Sequence, residues 1–366
     1  MPRKINKVAV LGLGNIGELV ALMLNDSGFE VTGFSLPTVQ SVEGTSQSDI
    51  EVLPLDVTDA EGLRTALHRF DVVVSCLPYA RNVDVAEAAH DVGTHYLDLT
   101  EDIPTATRVF ELSAQRPDLI FAPQCGLAPG FIAIVGASMA RSFEQIRSIE
   151  LKVGALPRSP TGRLGYAFNW SPEGVVNEYL NDCEVLRSGR RQMVPAMTDL
   201  EHVRIGGVDL EAALTSGGLG TMCQTYADRV QRLDYKTIRY PGHFDHMRFL
   251  FDELGLRSRP ELALEILIEA KPPVNDDIVY LHAAVEGVKD GVRQRENYVR
   301  GYRPIEVAGR TWRAISWTTA ASVVAVVELL ADGRLPNKGF IRQEDVRLAD
   351  LLSTNCGEYL DSGGRV

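Results

Sequence analysis

Gly12, Gly14 and Gly17 form a G-x-G-x-x-G run between an apolar stretch, Lys7–Leu11, and a helical pattern carried by Leu19, Val20, Met23 and Leu24. Each glycine answers a steric demand. The first permits a tight turn, the second lets a backbone approach a pyrophosphate, and the third lets helix and strand pack closely. The helix that follows turns its unpaired N–H groups toward the phosphates. Strand, turn and helix in this order predict a dinucleotide-binding βαβ unit, with Gly12, Gly14, Asn15, Ile16 and Gly17 at the cofactor.

The next hundred residues alternate in the same way. Strand-like runs at Glu30–Phe34, Val52–Leu55, Val72–Ser75, Tyr96–Leu99 and Leu119–Ala122 are separated by helical stretches such as Ala60–His68 and Asn82–Val92. Alternating strands and helices predict an α/β fold, a Rossmann-type doubly wound parallel sheet. Ligands of such sheets sit beyond the carboxyl ends of the strands. That rule adds Ser35, Asp56, Ser75, Cys76, Leu77, Pro78, Gln124 and Gly126 to the cofactor set. After Pro129-Gly130 the pattern becomes mixed, with strand candidates at Arg147–Gly154, Glu201–Ile205, Tyr235–Tyr240 and Asp277–Val285. This predicts a second, α+β domain for substrate and dimerisation over residues 130–313, with a homodimer as the expected assembly. The apolar helix Thr318–Leu330 needs cover on all sides. It is expected to return to the first domain, making that domain residues 1–129 plus about 314–366.

A chain of 366 residues with a formal charge of −12 suits neither a nucleic-acid nor an anionic-membrane surface. The most apolar run, Ala320–Leu330, is short, carries Glu328 and reads as a buried helix. No signal-type segment precedes the first strand, so a cytoplasmic protein is expected. Cys76, Cys125, Cys183, Cys223 and Cys356 are odd in number and lack C-x-x-C spacing, which favours reduced thiols over disulfides or zinc. The His243-Phe244-Asp245-His246 spacing has no third ligand cluster to complete a metal site, and none is expected.

An acid about twenty residues past the glycines would hold the ribose of NAD. Ser35 stands there instead, and no Arg or Lys lies between Ser35 and Ile50 to hold a 2′-phosphate. The glycine at the third position and the missing cation favour NAD, and NADP stays open.

Four segments carry a resemblance. Gly93-Thr94-His95-Tyr96-Leu97-Asp98-Leu99-Thr100, Cys125-Gly126-Leu127-Ala128-Pro129-Gly130, Phe168-Asn169-Trp170-Ser171-Pro172-Glu173-Gly174 and Thr237-Ile238-Arg239-Tyr240-Pro241-Gly242 each resemble, in this order, segments of the saccharopine dehydrogenase family. Within it, Ala128 in place of Asp, the Thr215–Gly218 turn and the run Tyr235–His243 are similar to the lysine 6-dehydrogenase branch. Gln124 and Ser35 depart from that branch, where Asp stands. The resemblance implies an NAD(P)-dependent oxidoreductase acting at a carbon–nitrogen bond of an amino acid. The expected reaction is oxidative deamination of the lysine ε-amine. The alternatives are a saccharopine- or carboxyspermidine-forming reductase and a non-catalytic NAD(P)-binding regulator.

Such chemistry needs a cation for the substrate carboxylate and a group that moves protons. Arg239 is the candidate carboxylate clamp, with an ion pair as its structural alternative. His243 is the first candidate for proton transfer and Lys236 the second, if burial lowers its pKa. Trp170, Tyr240, Thr237 and Ser216 complete the candidate substrate site. The Thr215–Thr221 stretch offers backbone N–H groups to a carboxylate if a helix follows, and is otherwise a tight turn.

Overall fold

The computed structural model describes residues 5–36 and 50–364. The chain divides into two compact units, Met1–Phe131 with Ser316–Asp361, and Ile132–Ile315 with the C-terminal residues from Ser362.

The first unit begins β1 (Lys7–Leu11), α1 (Gly17–Asp26), β2 (Glu30–Ser35) and β3 (Glu51–Pro54). It continues α2 (Ala60–Leu67), β4 (Val72–Ser75), α3 (Asn82–Val92), β5 (His95–Asp98), α4 (Ile103–Gln115) and β6 (Ile120–Ala122). Two of these helices start where the sequence offers a capping side chain. Asp59 accepts from Glu61 and Gly62 N–H at α2, and Asp102 accepts from Thr105 at α4. Gly93, left-handed at φ 80°, ends α3.

The second unit opens on α5 (Phe131–Ala140) and β7 (Gln145–Pro157), followed by α6 (Pro172–Leu180), β8 (Cys183–Arg187), β9 (Arg190–Val194), β10 (Glu201–Ile205) and β11 (Val208–Leu214). Then come α7 (Met222–Tyr226), β12 (Val230–Arg239), α8 (His243–Arg248), α9 (Pro260–Ala270), β13 (Asp277–Lys289) and β14 (Val292–Tyr302). Its main sheet runs β10-β11-β12-β7-β13-β14, with β8 attached to β12 and β9 to β8. The β12–β7 pair is parallel and its neighbours are antiparallel. A core of Leu156, Phe168, Val175, Tyr179, Ile238, Phe244 and Phe251 joins α6 and α8 to β7 and β12.

A short hairpin, β15 (Ile305–Val307) and β16 (Arg310–Trp312), leads to α10 (Ala314–Ala331), β17 (Gly339–Phe340), α11 (Leu348–Leu352) and α12 (Asn355–Ser362). Asp277, fully buried, caps α10 by accepting from the Ala314 and Ile315 N–H groups at 2.6 and 3.0 Å. By length and composition, α10 at 18 residues is apolar enough to cross a membrane, longer than the eleven-residue run suggested. It is a core helix: 89% of it is buried within the fold. Its one acid, Glu328, is satisfied there, accepting from the Ser27 hydroxyl at 2.7 Å and the Cys356 N–H at 3.1 Å. Strand β17 pairs with β6, so among the described residues the first sheet has seven parallel strands in the order β17-β6-β5-β4-β1-β2-β3.

Candidate functional site

In the first unit the strand order reverses at β1 and β4, the switch point at which doubly wound sheets bind nucleotides. Gly12 and Gly17 meet the steric demands read from the sequence. Gly12 sits at φ 88°, and a Cβ on it would meet the Leu77 side chain at 2.9 Å and the Cys76 carbonyl at 3.1 Å. A Cβ on Gly17 would fall 1.9 Å from the Gly12 carbonyl oxygen. A Cβ on Gly14 would meet nothing within 4 Å, so the space beside its backbone is open. Asn15 and Ile16 complete the turn, and α1 begins with no side-chain cap on its N–H groups. This is the donor arrangement that receives a pyrophosphate, and the residues present fit one.

The neighbouring strand ends take two forms. At β4, the Ser75 hydroxyl is buried and donates to Asn82 Oδ1 at 2.7 Å. Cys76 follows; burial and the Asp98 carboxylate push its thiol up to about 12, so it is no thiolate at neutral pH. Pro78 then precedes the short turn Tyr79–Arg81. At β2, Ser35 is half-buried and its carbonyl accepts from Leu55 N–H. Asp56 is exposed, and its carboxylate accepts from the Thr58 hydroxyl and N–H, bonds that hold it below the usual carboxylate range. Residues 37–49, within the interval whose lack of basic residues bears on NADP, lie outside the described residues.

Asp98 at the end of β5 organises the next loop, a role that sequence reasoning missed. Fully buried, it accepts from Gln124 and Thr100 N–H, both at 2.9 Å, and from the Tyr96 hydroxyl at 2.7 Å. Its burial raises its pKa. The signal was present: an acid flanked by apolar residues at a strand end. Gln124 takes φ 65°, and Gly126 and Gly130 approach so closely that a Cβ on Gly130 would fall 2.0 Å from the Gly126 carbonyl oxygen.

In the second unit, β12 delivers Arg239 to the strand's end. Arg239 is 2% exposed. Its Nε donates to the Tyr179 hydroxyl at 2.8 Å and one terminal nitrogen donates to the Ile238 carbonyl at 3.0 Å. The other terminal nitrogen, Nη2, has no protein hydrogen bond among the described residues. The guanidinium lies 4.6 Å from the Tyr166 ring centroid, a cation–π contact. Burial disfavours its charge, but Tyr179, Tyr166 and the buried Glu178 carboxylate offset this and raise its pKa further. Tyr166 and Tyr179, neither a candidate from the sequence, are thus the immediate setting of Arg239. Among the described residues the buried Tyr166 hydroxyl has no hydrogen bond of good geometry, and the Trp170 side chain is a polar neighbour.

His243 joins this group but not in the expected role. Its Nδ1 lies 2.9 Å from the Leu164 carbonyl and its Nε2 lies 3.0 Å from the Tyr179 hydroxyl. Burial and the Arg239 charge lower its pKa to about 3. A neutral imidazole with both nitrogens engaged does not exchange protons at neutral pH, which corrects the expectation that His243 is the proton-transfer group.

Lys236 is corrected as well. It stands an odd number of residues from Arg239 on β12, so the two point to opposite faces of the sheet. Its ammonium is 3% exposed, pairs with Glu201 at 3.0 Å and donates to the Asp199 carbonyl. Three further candidates have structural partners. The Thr237 hydroxyl bonds Thr215 at 2.6 Å, Tyr240 donates to the Pro157 carbonyl at 2.9 Å, and Ser216 donates to the Asn177 carbonyl at 3.3 Å. Trp170 is half-buried against the core beside Tyr166 and Phe168. The Thr215–Thr221 stretch is a tight turn: α7 after it has five residues, and a Cβ on Gly218 would fall 2.3 Å from the Tyr235 ring. No group of three or more metal-ligating side chains occurs among the described residues.

Switch-point sheet and glycine turn together define an NAD(P)-binding α/β protein with a second, mixed-sheet domain. The chain belongs to the saccharopine dehydrogenase family. Residues 8–118 match the family's "NADP binding domain" and residues 126–354 its "C-terminal domain". A saccharopine dehydrogenase [NADP(+), L-glutamate-forming] of Saccharomyces cerevisiae is 27% identical over 196 residues, covering 51% of this chain and 43% of that protein. An alpha-aminoadipic semialdehyde synthase of Arabidopsis thaliana is 26% identical over 156 residues, 41% of this chain and 14% of that protein. The chain therefore spans less than half the length of these curated relatives. The fold is shared with the apo saccharopine dehydrogenase (L-Glu forming) of Saccharomyces cerevisiae, at TM-score 0.74, 16% identity and 98% coverage of both chains. It is also shared with a homospermidine synthase of Legionella pneumophila solved with NAD, at TM-score 0.61 and 14% identity, covering 96% of this chain and 89% of that one.

Proposed function

We propose that this protein is an NAD(P)-dependent oxidoreductase acting on a C–N bond of a basic amino acid, and most specifically an L-lysine 6-dehydrogenase. The observation that carries the reading is Arg239, a buried cation held by Tyr179 with one terminal nitrogen unbonded among the described residues. A guanidinium kept in this state suits a carboxylate, which accepts the remaining N–H groups in a charge-assisted bond. Family membership supports the reaction class, and Ala128 in place of Asp favours deamination over saccharopine formation.

The nicotinamide, when bound, supplies the hydride acceptor. The chain's residues do the rest. The turn Gly12–Gly17 and the start of α1 bind the pyrophosphate, with Ser75 to Pro78 alongside. Arg239 binds the substrate carboxylate. The reacting amine must be neutral, because an ammonium does not release a hydride, and a free lysine amine titrates at about 10.4. His243 takes no part in that deprotonation, since both its nitrogens are engaged. Lys236 takes none either, being paired with Glu201 on the far face of β12.

The relatives named saccharopine dehydrogenase favour a second reading, reductive condensation of an aldehyde with an amino acid. Reduced cofactor appearing with L-lysine alone supports the first. Consumption of reduced cofactor only when aldehyde and amino acid are both present supports the second. Bound cofactor without turnover in either direction identifies a non-catalytic binder. Within the first reading, Arg239→Gln is expected to lower kcat/KM for L-lysine at least about tenfold while sparing cadaverine, which lacks the carboxylate. Equal loss on both substrates rejects Arg239 as the clamp.

A further inference from the structure

The hydrogen bonds around Arg239 have a fixed direction, set by a backbone carbonyl. Leu164 O only accepts, so His243 Nδ1 carries the proton of the neutral ring and Nε2 presents a lone pair. The single Tyr179 hydroxyl proton is then committed to Nε2, at 3.0 Å. The Tyr179 oxygen consequently turns lone pairs to Arg239 Nε, which donates at 2.8 Å. Every member is held among buried neighbours: Tyr179 is 0% exposed, His243 1% and Arg239 2%. The Tyr166 ring packs on both the guanidinium and the imidazole, at 4.6 and 5.4 Å. An arginine side chain has several rotatable bonds, and here a fixed acceptor at Nε and the Ile238 carbonyl at one Nη leave the guanidinium a single orientation.

We propose that Tyr179 and His243 are positioning residues: their relay from Leu164 aims Arg239 Nη2 at the substrate carboxylate and so sets the preference for amino acids over simple amines. The inference rests on the reading of Arg239 as the carboxylate clamp. It requires no proton transfer, since every group in the relay keeps its proton throughout. The role differs from that of a packing residue, because only the polar atoms matter. Removing the Tyr179 hydroxyl frees Nε to rotate, and removing the His243 acceptor frees the Tyr179 proton to turn toward Arg239.

The test uses the full chain. Tyr179→Phe deletes one oxygen from a filled site. It is expected to raise KM for L-lysine about tenfold, with kcat little changed and the constants for cadaverine unmoved. His243→Leu is expected to do the same, and His243→Gln, which keeps one donor and one acceptor, to recover most of the loss. Tyr179→Phe shifting lysine and cadaverine together overturns the proposal, as does equal behaviour of His243→Leu and His243→Gln. If His243→Leu does not fold, Tyr179→Phe decides alone. Calorimetric binding of L-lysine gives the same comparison without turnover. If Arg239→Gln leaves the lysine-to-cadaverine ratio unchanged, the clamp itself fails and the inference with it. If Arg239→Gln changes that ratio and Tyr179→Phe does not, only the inference fails.

Discussion

His243 makes the stability of the second unit depend on acid in a way that can be worked out. Its ring faces Arg239 on β12, His246 on α8, Tyr179 on α6 and Tyr166 on the irregular segment before it. Burial and the two nearby basic groups lower its folded pKa to about 3, against 6.5 for a free histidine. The folded value is the lower one, so as pH falls the unfolded chain binds the proton first. Stability present above pH 6.5 is therefore lost on the way down to about 3. Each pH unit in that window costs about 1.4 kcal/mol, so the loss reaches roughly 2 kcal/mol by pH 5. Other groups also titrate. Burial lowers His282 to about 4, which acts in the same sense, and raises Asp277 to about 6, which acts in the opposite one. Comparison with His243→Gln cancels both, because they are common to the two proteins. Urea unfolding of wild type and variant at neutral pH and near pH 5 is expected to show the wild-type advantage shrinking by about 2 kcal/mol. Histidine-selective NMR should show the His243 ring still neutral in the folded protein near pH 5. A stability difference that does not change with pH, or a folded-state titration near 6.5, would refute the reasoning.

Two of the three fingerprint glycines should fail in different ways. Gly14→Val places its side chain in open space, so the protein should fold and melt normally yet lose NADH binding in a fluorescence titration; retained affinity rejects the site. Gly17→Ala drives a methyl into the Gly12 carbonyl and should lower the melting temperature as well; a fully stable Gly17→Ala protein contradicts the packing. Ser35→Asp, at the end of β2, should shift the ratio of NAD to NADP affinity toward NAD, because a carboxylate accepts the ribose hydroxyls and repels a 2′-phosphate; an unchanged ratio removes Ser35 from the ribose.

Local periodicity carried much of the first unit. Lys7–Leu11, Asn82–Val92 and Val72–Ser75 form the elements their patterns suggested, because a parallel sheet buried on both faces writes itself as short apolar runs between amphipathic helices. The glycines were legible for a related reason: backbone crowding at 1.9 Å admits no other residue at position 17, so the requirement is visible as an identity. Arg239 was visible as a candidate, since a cation beside a Pro-Gly turn in a family motif stands out in one dimension. Its partners were not. Tyr166 and Tyr179 lie 73 and 60 residues before it in the chain, on a segment without regular structure and on a helix, and nothing local marks either as polar in function. The sequence by itself determined which residues have chemistry to offer, because side-chain type and short-range backbone geometry are local properties. What each one does was decided by tertiary packing. The same histidine is a base in water and an inert acceptor here, because 3.0 and 2.9 Å contacts to Tyr179 and Leu164, with a buried guanidinium beside them, exist only once distant segments have come together.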